Sequence, residues 1–346
     1  MAQIRYAISG RPVSHSLSPL LFGLVVSNLE KFGKKMEFNF KNTTIELVDT
    51  LTIENALGWG YSGRAPDPPM WDYTGATFGK YRTQALLNRA IEAAMKVEDS
   101  DQRLVAKFEF ELEEQSRIAE SFLLDAKNHN LPTYCLENEV WLNLTSPLKH
   151  QLSSEAVSTI DESMALQAVN TLRWDGQGWW CAGVDGLGVI SVARHHGVQI
   201  ENGALLGIVG GGGAARATVD AWLKAGGKVR LFSGRRPLQL PPEVESDNSG
   251  SPLDFAVDFD GNGAYQNELE SCSLRLNPNY QSQNSDIESR IEQLITTPLD
   301  GRWMLVAQHL EAWNRLWAPQ YADMLPSIGL LLTQLIHAEN TLENHA

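Results

Sequence analysis

Short apolar runs of strand length recur along the chain, separated by longer stretches of helical character. The runs lie at residues 4–8, 140–144, 167–172, 179–182, 204–209, 228–233 and 255–258. Helical stretches begin at Ser18 and after residue 188, and cover 104–128, 214–224, 287–295, 303–317 and 327–341. The stretch 303–317 is strongly amphipathic. Strands that alternate with helices in this way predict an α/β fold.

The stretch at 204–237 carries the strongest local signal. Its apolar run ends in four consecutive glycines, Gly210 to Gly213. Helix formers without proline follow at 214–224, and Gly226-Gly227 predicts the end of that helix. The pattern therefore predicts a buried parallel strand, a glycine turn, a helix and the next strand.

This turn has the composition of a dinucleotide site. Gly210 allows a tight turn, and Gly212 lets a pyrophosphate approach the backbone. The helix that opens at Gly213 and Ala214 would offer free N–H groups and a positive dipole end to the phosphates. Most glycine runs are only flexible turns, but one between a strand and a helix indicates a dinucleotide.

The residues after the second strand indicate which dinucleotide. An NAD site usually has an acid about 20 residues after the glycines, where it accepts a hydrogen bond from the ribose. The corresponding stretch here is Ser233-Gly234-Arg235-Arg236, which has no acid. Arg235 and Arg236 suit a 2′-phosphate, so we predict NADP(H) as the cofactor. The alternative is that both arginines are solvated loop charges.

Length and charge restrict the class of protein. With 346 residues the chain is long enough for two domains, and 43% apolar with 20% charged residues is an ordinary composition for a globular protein. A net charge of −14 argues against nucleic acid or an anionic membrane as the main partner. We expect a monomer or homodimer that binds a small-molecule substrate.

Cysteine usage predicts a cytoplasmic location. Cys135, Cys181 and Cys272 show no C-x-x-C spacing, which is typical of reduced thiols. We expect no metal site, since the adjacent pair His195-His196 would point apart on a helix. The N-terminus does not resemble a signal peptide, and no apolar run has the length of a membrane span.

Several polar residues could be structural or functional. Ser18, with Pro19 behind it, would cap a helix, and Asp185 could cap another. Lys149 alone would be a surface charge, and Gln334 could support a helix contact or point into a cleft. Region 43–102 has no functional interpretation; its aromatic residues lie among glycines and prolines, which indicates an ordered loop or insertion.

Six short motifs occur in an order that resembles the shikimate dehydrogenase family, whose members reduce 3-dehydroshikimate with NADPH. They are S-x-S-P at 16–19, N-x-T-x-P-x-K at 143–149, A-V-N-T-L at 168–172, D-x-x-G at 185–188, G-x-G-G-A at 210–214 and G-x-L-x-x-Q at 329–334. The family's N-A-T-P strand has no recognisable counterpart at 254–263, and 43–102 resembles an insertion. The resemblance covers about two thirds of the chain.

The resemblance implies roles for the residues that match. It makes Lys149 and Asp185 the catalytic pair. It assigns the substrate's carboxylate and hydroxyls to Ser16, Ser18, Asn143, Thr145, Asn170 and Gln334. It implies an NADP-dependent enzyme of aromatic amino acid biosynthesis, in which Arg235 contacts the nucleotide. Two alternatives stay open: an enzyme for quinate or another cyclic polyol acid, and a non-catalytic binder of nucleotide or a shikimate-like ligand.

The same resemblance implies two α/β domains. We expect a substrate domain at 1–186, to which 326–346 returns, and a Rossmann-type NADP-binding domain at 187–325. The active site would lie in a cleft between them.

Overall fold

A computed structural model of the chain describes residues 1–31, 36–62, 84–107, 112–261, 266–280 and 286–344. Its strands are β1 (Gln3–Gly10), β2 (Thr43–Asp49), β3 (Asn138–Leu144), β4 (Val157–Thr159), β5 (Thr171–Trp174), β6 (Trp179–Ala182), β7 (Leu205–Val209), β8 (Lys228–Phe232), β9 (Phe255–Asp258) and β10 (Arg275–Leu276). Its α-helices are α1 (Ser18–Lys31), α2 (Ile53–Ser62), α3 (Gln84–Ala94), α4 (Leu112–Asn128), α5 (Asp185–His195), α6 (Gly213–Lys224), α7 (Gln266–Glu270), α8 (Ile287–Ile295), α9 (Arg302–Ala312) and α10 (Ile328–Asn344). None of these helices is long and apolar enough to cross a membrane.

The strands form two separate sheets. The first is mixed, six-stranded and ordered β2-β1-β3-β5-β6-β4. Strand β1 pairs in parallel with both β2 and β3, while β5 is antiparallel to β3 and β6. Because β1 and β3 are parallel, their carboxyl ends reach the same edge of the sheet, where Ser9 lies opposite Leu144.

The second sheet is parallel, four-stranded and ordered β10-β9-β7-β8. All five residues of β7 are buried, as predicted for a central parallel strand. The strand order reverses between β7 and β9, so a crevice opens beyond their carboxyl ends, the usual ligand position in this architecture. The connection at 233–254, described throughout, contains no helix. The predicted α/β fold, with parallel pairing in both sheets, is confirmed.

Helix α5 joins the two halves of the structure. It packs on α6, which covers the second sheet, and on α9. A Cβ atom at Gly186 would overlap the carbonyl oxygen of Ala217, so only glycine allows α5 and α6 to approach this closely. The first turn of α5 is thereby held against the glycine-rich unit of the second sheet.

The sequence indicated that region 43–102 is a loop or an insertion, but part of it belongs to the core fold. Its first part is β2, an edge strand of the first sheet, and α3 packs against α1 and α10. The predicted helix at 104–128 begins later, as α4, after residues 108–111, which lie outside the described part. Residues 63–83, with Trp71 and Tyr73, also lie outside it. Strand β2 pairs only with β1, and its alternating polar residues made it difficult to recognise as a strand from the sequence.

The stretch 303–317 is mostly buried, and its partly exposed residues, Gln308, Glu311, Asn314 and Arg315, recur at helical spacing, as the amphipathic pattern predicted. Helix α9 is followed by a π-helical turn, Trp313–Trp317, and their aromatic rings pack against those of the first sheet. Tyr6 stacks on Phe22 with ring centroids 3.9 Å apart, and Trp141 stacks on Trp317 at 5.8 Å. The chain after the second sheet thus contributes to the core of the first.

His309 lies inside this aromatic cluster. It is fully buried, and neither ring nitrogen has a hydrogen-bond partner among the described residues. Burial without a partner disfavours the charged imidazolium and lowers the pKa of His309 to about 3. The side chain is therefore neutral in the folded protein down to acidic pH.

We expect His309 to make the fold acid-sensitive. In the unfolded chain a histidine gains its proton below about pH 6.5, whereas folded His309 does not, so stability falls as pH drops from about 6.5 towards 3. His309→Phe should remove about 2 kcal/mol of the loss in unfolding free energy between about pH 7 and about pH 5. Urea denaturation at the two pH values measures it. The partly exposed His129→Phe is the control, and an unchanged pH dependence in His309→Phe would contradict the account.

Candidate active site

A cleft of about 280 Å³ lies between the two sheets. Its walls come from the carboxyl ends of β1 and β3, the start of α1, the start of α5 and α6, and the face of α9. Eight predicted site residues line it: Ser16, Ser18, Asn143, Thr145, Lys149, Asn170, Asp185 and Ala214. The structure thus brings together residues that are up to 198 positions apart in the sequence, from Ser16 to Ala214.

Lys149 and Asp185 form an ion pair at the centre of the cleft. The Lys149 Nζ donates to Asp185 Oδ2 at 2.5 Å. The Asp185 side chain is 1% exposed and that of Lys149 is 24% exposed, so the carboxylate is buried while the ammonium reaches the cleft. Lys149 projects from a 3-10 turn, Leu148–His150, that follows β3.

Asn170 holds the other oxygen of the same carboxylate. Its Nδ2 donates to Asp185 Oδ1 at 2.8 Å, and its Oδ1 accepts from the Val184 N–H at 2.8 Å. These bonds fix the orientation of the Asn170 amide. Asp185 is the first residue of α5 and makes no side-chain cap, so the interpretation as a helix cap is wrong.

Tyr6 orients a second amide. Its hydroxyl, buried under the first sheet, donates to Asn143 Oδ1 at 2.7 Å. Burial raises the pKa of Tyr6, so the phenol keeps the proton that it donates. Since the Asn143 oxygen is engaged, its amino group is the part of this amide that can donate to a ligand.

The start of α1 provides the hydroxyls of Ser16 and Ser18. The Ser16 Oγ accepts from the Ser18 N–H at 3.2 Å, so the capping bond comes from Ser16. The sequence had predicted Ser18 as the capping residue. The hydroxyl of Tyr280, which follows β10, accepts from the Leu17 N–H at 3.4 Å. This contact closes the cleft between the second sheet and α1.

Gln334 does not lie in the cleft. Its amide is wholly buried, where its Oε1 accepts from Asn28 Nδ2 at 2.7 Å and its Nε2 donates to the Val97 carbonyl at 2.9 Å. The prediction that it binds substrate is therefore not supported by its position. Gln308 of α9 lines the cleft instead, and it is partly exposed while its neighbours in α9 are buried. The signal that sequence reasoning missed is this one amide within the apolar stretch 303–310.

The predicted cofactor residues lie at the carboxyl end of β7. Gly210 has φ +106°, which favours glycine, and Gly212 precedes α6 in an extended conformation with no side-chain cap. A Cβ atom at Gly212 would meet nothing within 4 Å, which leaves room for a phosphate beside the first N–H groups of α6, at Gly213 and Ala214.

The two predicted arginines lie next to this turn. Arg235 is 70% exposed, and Arg236 is exposed as well. The backbone of Arg236 packs against the turn, since its carbonyl oxygen would be 2.5 Å from a Cβ atom at Gly211. Glycines, a free helix N-terminus and exposed guanidinium groups together fit a phosphorylated dinucleotide.

Comparison with known proteins gives a consistent result. No family model matches the chain. Curated proteins named shikimate dehydrogenase (NADP(+)) do match. The one from Methylibium petroleiphilum is 34% identical over 104 residues, which is 30% of this chain and about a third (35%) of the relative's length. That from Stenotrophomonas maltophilia is 25% identical over 226 residues, 64% of this chain and 77% of the relative.

A third relative, from Halobacterium salinarum, is 28% identical over 194 residues, covering 50% of this chain and 71% of the relative. Among solved structures, a shikimate dehydrogenase in complex with NADP+ has a TM-score of 0.51 at 15% identity, covering 99% of this chain and 96% of that one. The dehydroquinate dehydratase and shikimate dehydrogenase from S. pombe has a TM-score of 0.51 at 16% identity, covering 97% of this chain and 53% of that one. These two structures support the fold. The curated relatives are thus similar to this chain over part of its length, and all three are named shikimate dehydrogenase (NADP(+)).

Proposed function

We propose that the protein is an NADP-dependent shikimate dehydrogenase, which reversibly reduces 3-dehydroshikimate to shikimate in the aromatic amino acid pathway of the cytoplasm. The observation that carries the proposal is the Lys149–Asp185 pair, placed in a polar cleft that faces the glycine turn of the second sheet. The curated relatives carry the same name.

The two sheets support a division into two domains. All strands of the first sheet lie within 1–186, as expected for the substrate domain, and those of the second lie within 187–325. Helix α10 packs on α1 and α3, consistent with the expected return of 326–346 to the substrate domain. The rings of Trp313 and Trp317 already contact Trp141 of the first sheet, so we place the start of that return near 313.

Lys149 is the proton donor in this account. The bound cofactor supplies the hydride. The carbonyl oxygen of 3-dehydroshikimate then needs a proton, and the Lys149 ammonium, which reaches the cleft, can provide it. Asp185 keeps the ammonium in place, because its carboxylate is itself held by Asn170.

The remaining polar groups match a small acid with several hydroxyls. The donors and acceptors around Lys149 are the hydroxyls of Ser16, Ser18 and Thr145 and the amides of Asn143, Asn170 and Gln308. Hydroxyls and amides both donate and accept, so they can bind a carboxylate and ring hydroxyls in one orientation. Gln308 takes the role that the sequence had assigned to Gln334.

The function is tested by following NADP+ reduction in absorbance with shikimate as substrate, with quinate and NAD+ as alternatives. We expect turnover with shikimate and NADP+. Turnover with quinate but not with shikimate would show that the protein acts on a different polyol acid. Nucleotide binding without turnover of either acid would make it a binding protein.

Lys149→Met tests the proposed role of the ammonium, because methionine keeps most of the aliphatic stem. Loss of acid catalysis should lower kcat on the order of 100- to 10,000-fold. NADP+ affinity should stay largely unchanged, because the dinucleotide phosphates are expected on the glycine turn and the first N–H groups of α6. The exposed Lys31→Met is the control. Near-normal turnover in Lys149→Met would contradict the mechanism.

Gln308 and Gln334 form a matched pair for the substrate site. Gln308→Leu should raise the KM for shikimate roughly tenfold or more, since it removes a hydrogen-bonding amide from the cleft. Gln334→Leu removes the donor to the Asn28 Oδ1 and the Val97 carbonyl, and should lower the unfolding free energy by about 1–3 kcal/mol with little change in KM. Steady-state kinetics and urea denaturation of both variants measure this. The reverse assignment of the two effects would show that Gln334 is the substrate residue.

A further inference from the structure

The structure places an acid where the sequence showed none. The stretch directly after β8 contains only Ser233, Gly234 and two arginines. Asp260, which follows β9 on the other side of β7, reaches the same point. We propose that Asp260 sets the nucleotide preference of the protein. It weakens the preference for a 2′-phosphate, so that the protein binds NAD+ in addition to NADP+. This inference rests on the proposed function.

Asp260 lies at the junction of three segments. Its Oδ1 would be 3.2 Å from a Cβ atom at Gly210, at the end of β7. Its Oδ2 would be 2.5 Å from a Cβ atom at Gly234, after β8. The Asp260 side chain is 9% exposed, so the carboxylate is enclosed between the glycine turn and the strand end that normally carries the acid of an NAD site.

The position of Asp260 is held by hydrogen bonds. Asp258 Oδ1 accepts from the backbone N–H groups of Asp260 and Gly261, both at 2.9 Å, which fixes the turn after β9. Asp260 Oδ2 in turn accepts from the backbone N–H of Arg235. The loop therefore holds the Asp260 carboxylate in a fixed position.

Asp260 also holds the arginine predicted to bind the 2′-phosphate. Arg235 Nη2 lies 3.6 Å from Asp260 Oδ1 and donates to the Asp260 carbonyl at 3.4 Å. A guanidinium paired with a carboxylate offers less attraction to a phosphate, and the carboxylate repels that phosphate directly. A ribose hydroxyl, by contrast, can donate to a carboxylate at this strand end. Both effects reduce the advantage of NADP+ over NAD+.

The test is the affinity of the 346-residue chain for NADP+ and NAD+ by isothermal titration calorimetry. Asp260→Asn removes the charge but keeps an oxygen that can accept from the Arg235 N–H. We expect NADP+ to bind more tightly and NAD+ more weakly, so that the ratio of their dissociation constants changes on the order of tenfold, as removal of one nearby charge predicts.

Asp254→Asn is the matched control. Asp254 precedes the other end of β9, where its Oδ2 accepts from the Leu205 N–H at 2.7 Å, so the same charge and a similar hydrogen bond are altered far from the glycine turn. In Asp254→Asn, the ratio of the dissociation constants for NADP+ and NAD+ should equal that of the wild type. Arg235→Gln should weaken NADP+ binding more in the Asp260→Asn background than in the wild type, because only there is the guanidinium released.

The outcomes separate this inference from the proposed function. Equal weakening of both nucleotides by Asp260→Asn, or no change in either, would overturn the inference, since a merely structural aspartate affects both alike. If the wild type binds neither nucleotide, the proposed function fails together with the inference. If the wild type binds both and Asp260→Asn leaves their ratio unchanged, only the inference fails.

Discussion

The buried carboxylate of Asp185 is the constraint on which the rest of the site depends. A carboxylate that is 1% exposed is costly unless each oxygen has a charged or hydrogen-bonding partner. Here Lys149, from the turn after β3, takes one oxygen, and Asn170, next to β5, takes the other. The first sheet must therefore present its β3 and β5 ends at the start of α5, and that requirement positions the ammonium in the cleft.

The same residue links the two halves of the molecule. Asp185 opens α5, which packs closely on α6 through Gly186, and α6 begins at the glycine turn. The proposed catalytic pair and the proposed phosphate-binding turn are thus held at the two ends of one contact between helices. Tyr280 and the aromatic cluster of α9 support the opposite wall, where Gln308 faces the ligand space. Positioning of this kind is the protein's main share of catalysis when a cofactor carries the chemistry.

Sequence reasoning succeeded where a function depends on local pattern. The strand, glycine turn and helix at 204–224 are visible because each needs particular residue types in succession. The six motifs in their order placed Lys149, Asp185 and Asn170 correctly in one cleft, although no single motif was specific. Strand β2 was missed because an edge strand with polar alternation resembles a loop.

Other features could not be found in this way, because they depend on contacts between distant segments. Nothing local separates a glutamine that packs between helices, Gln334, from one that faces a cleft, Gln308. Likewise, the acid beside the proposed nucleotide site, Asp260, follows β9, and its distance from β8 in sequence conceals it. The most direct test of the account is a crystal structure with NADP+ and shikimate bound. We predict the Lys149 Nζ within hydrogen-bond distance of both Asp185 and the substrate hydroxyl that faces the nicotinamide. Shikimate bound away from Lys149, or a Lys149 that points out of the cleft, would contradict the central claim.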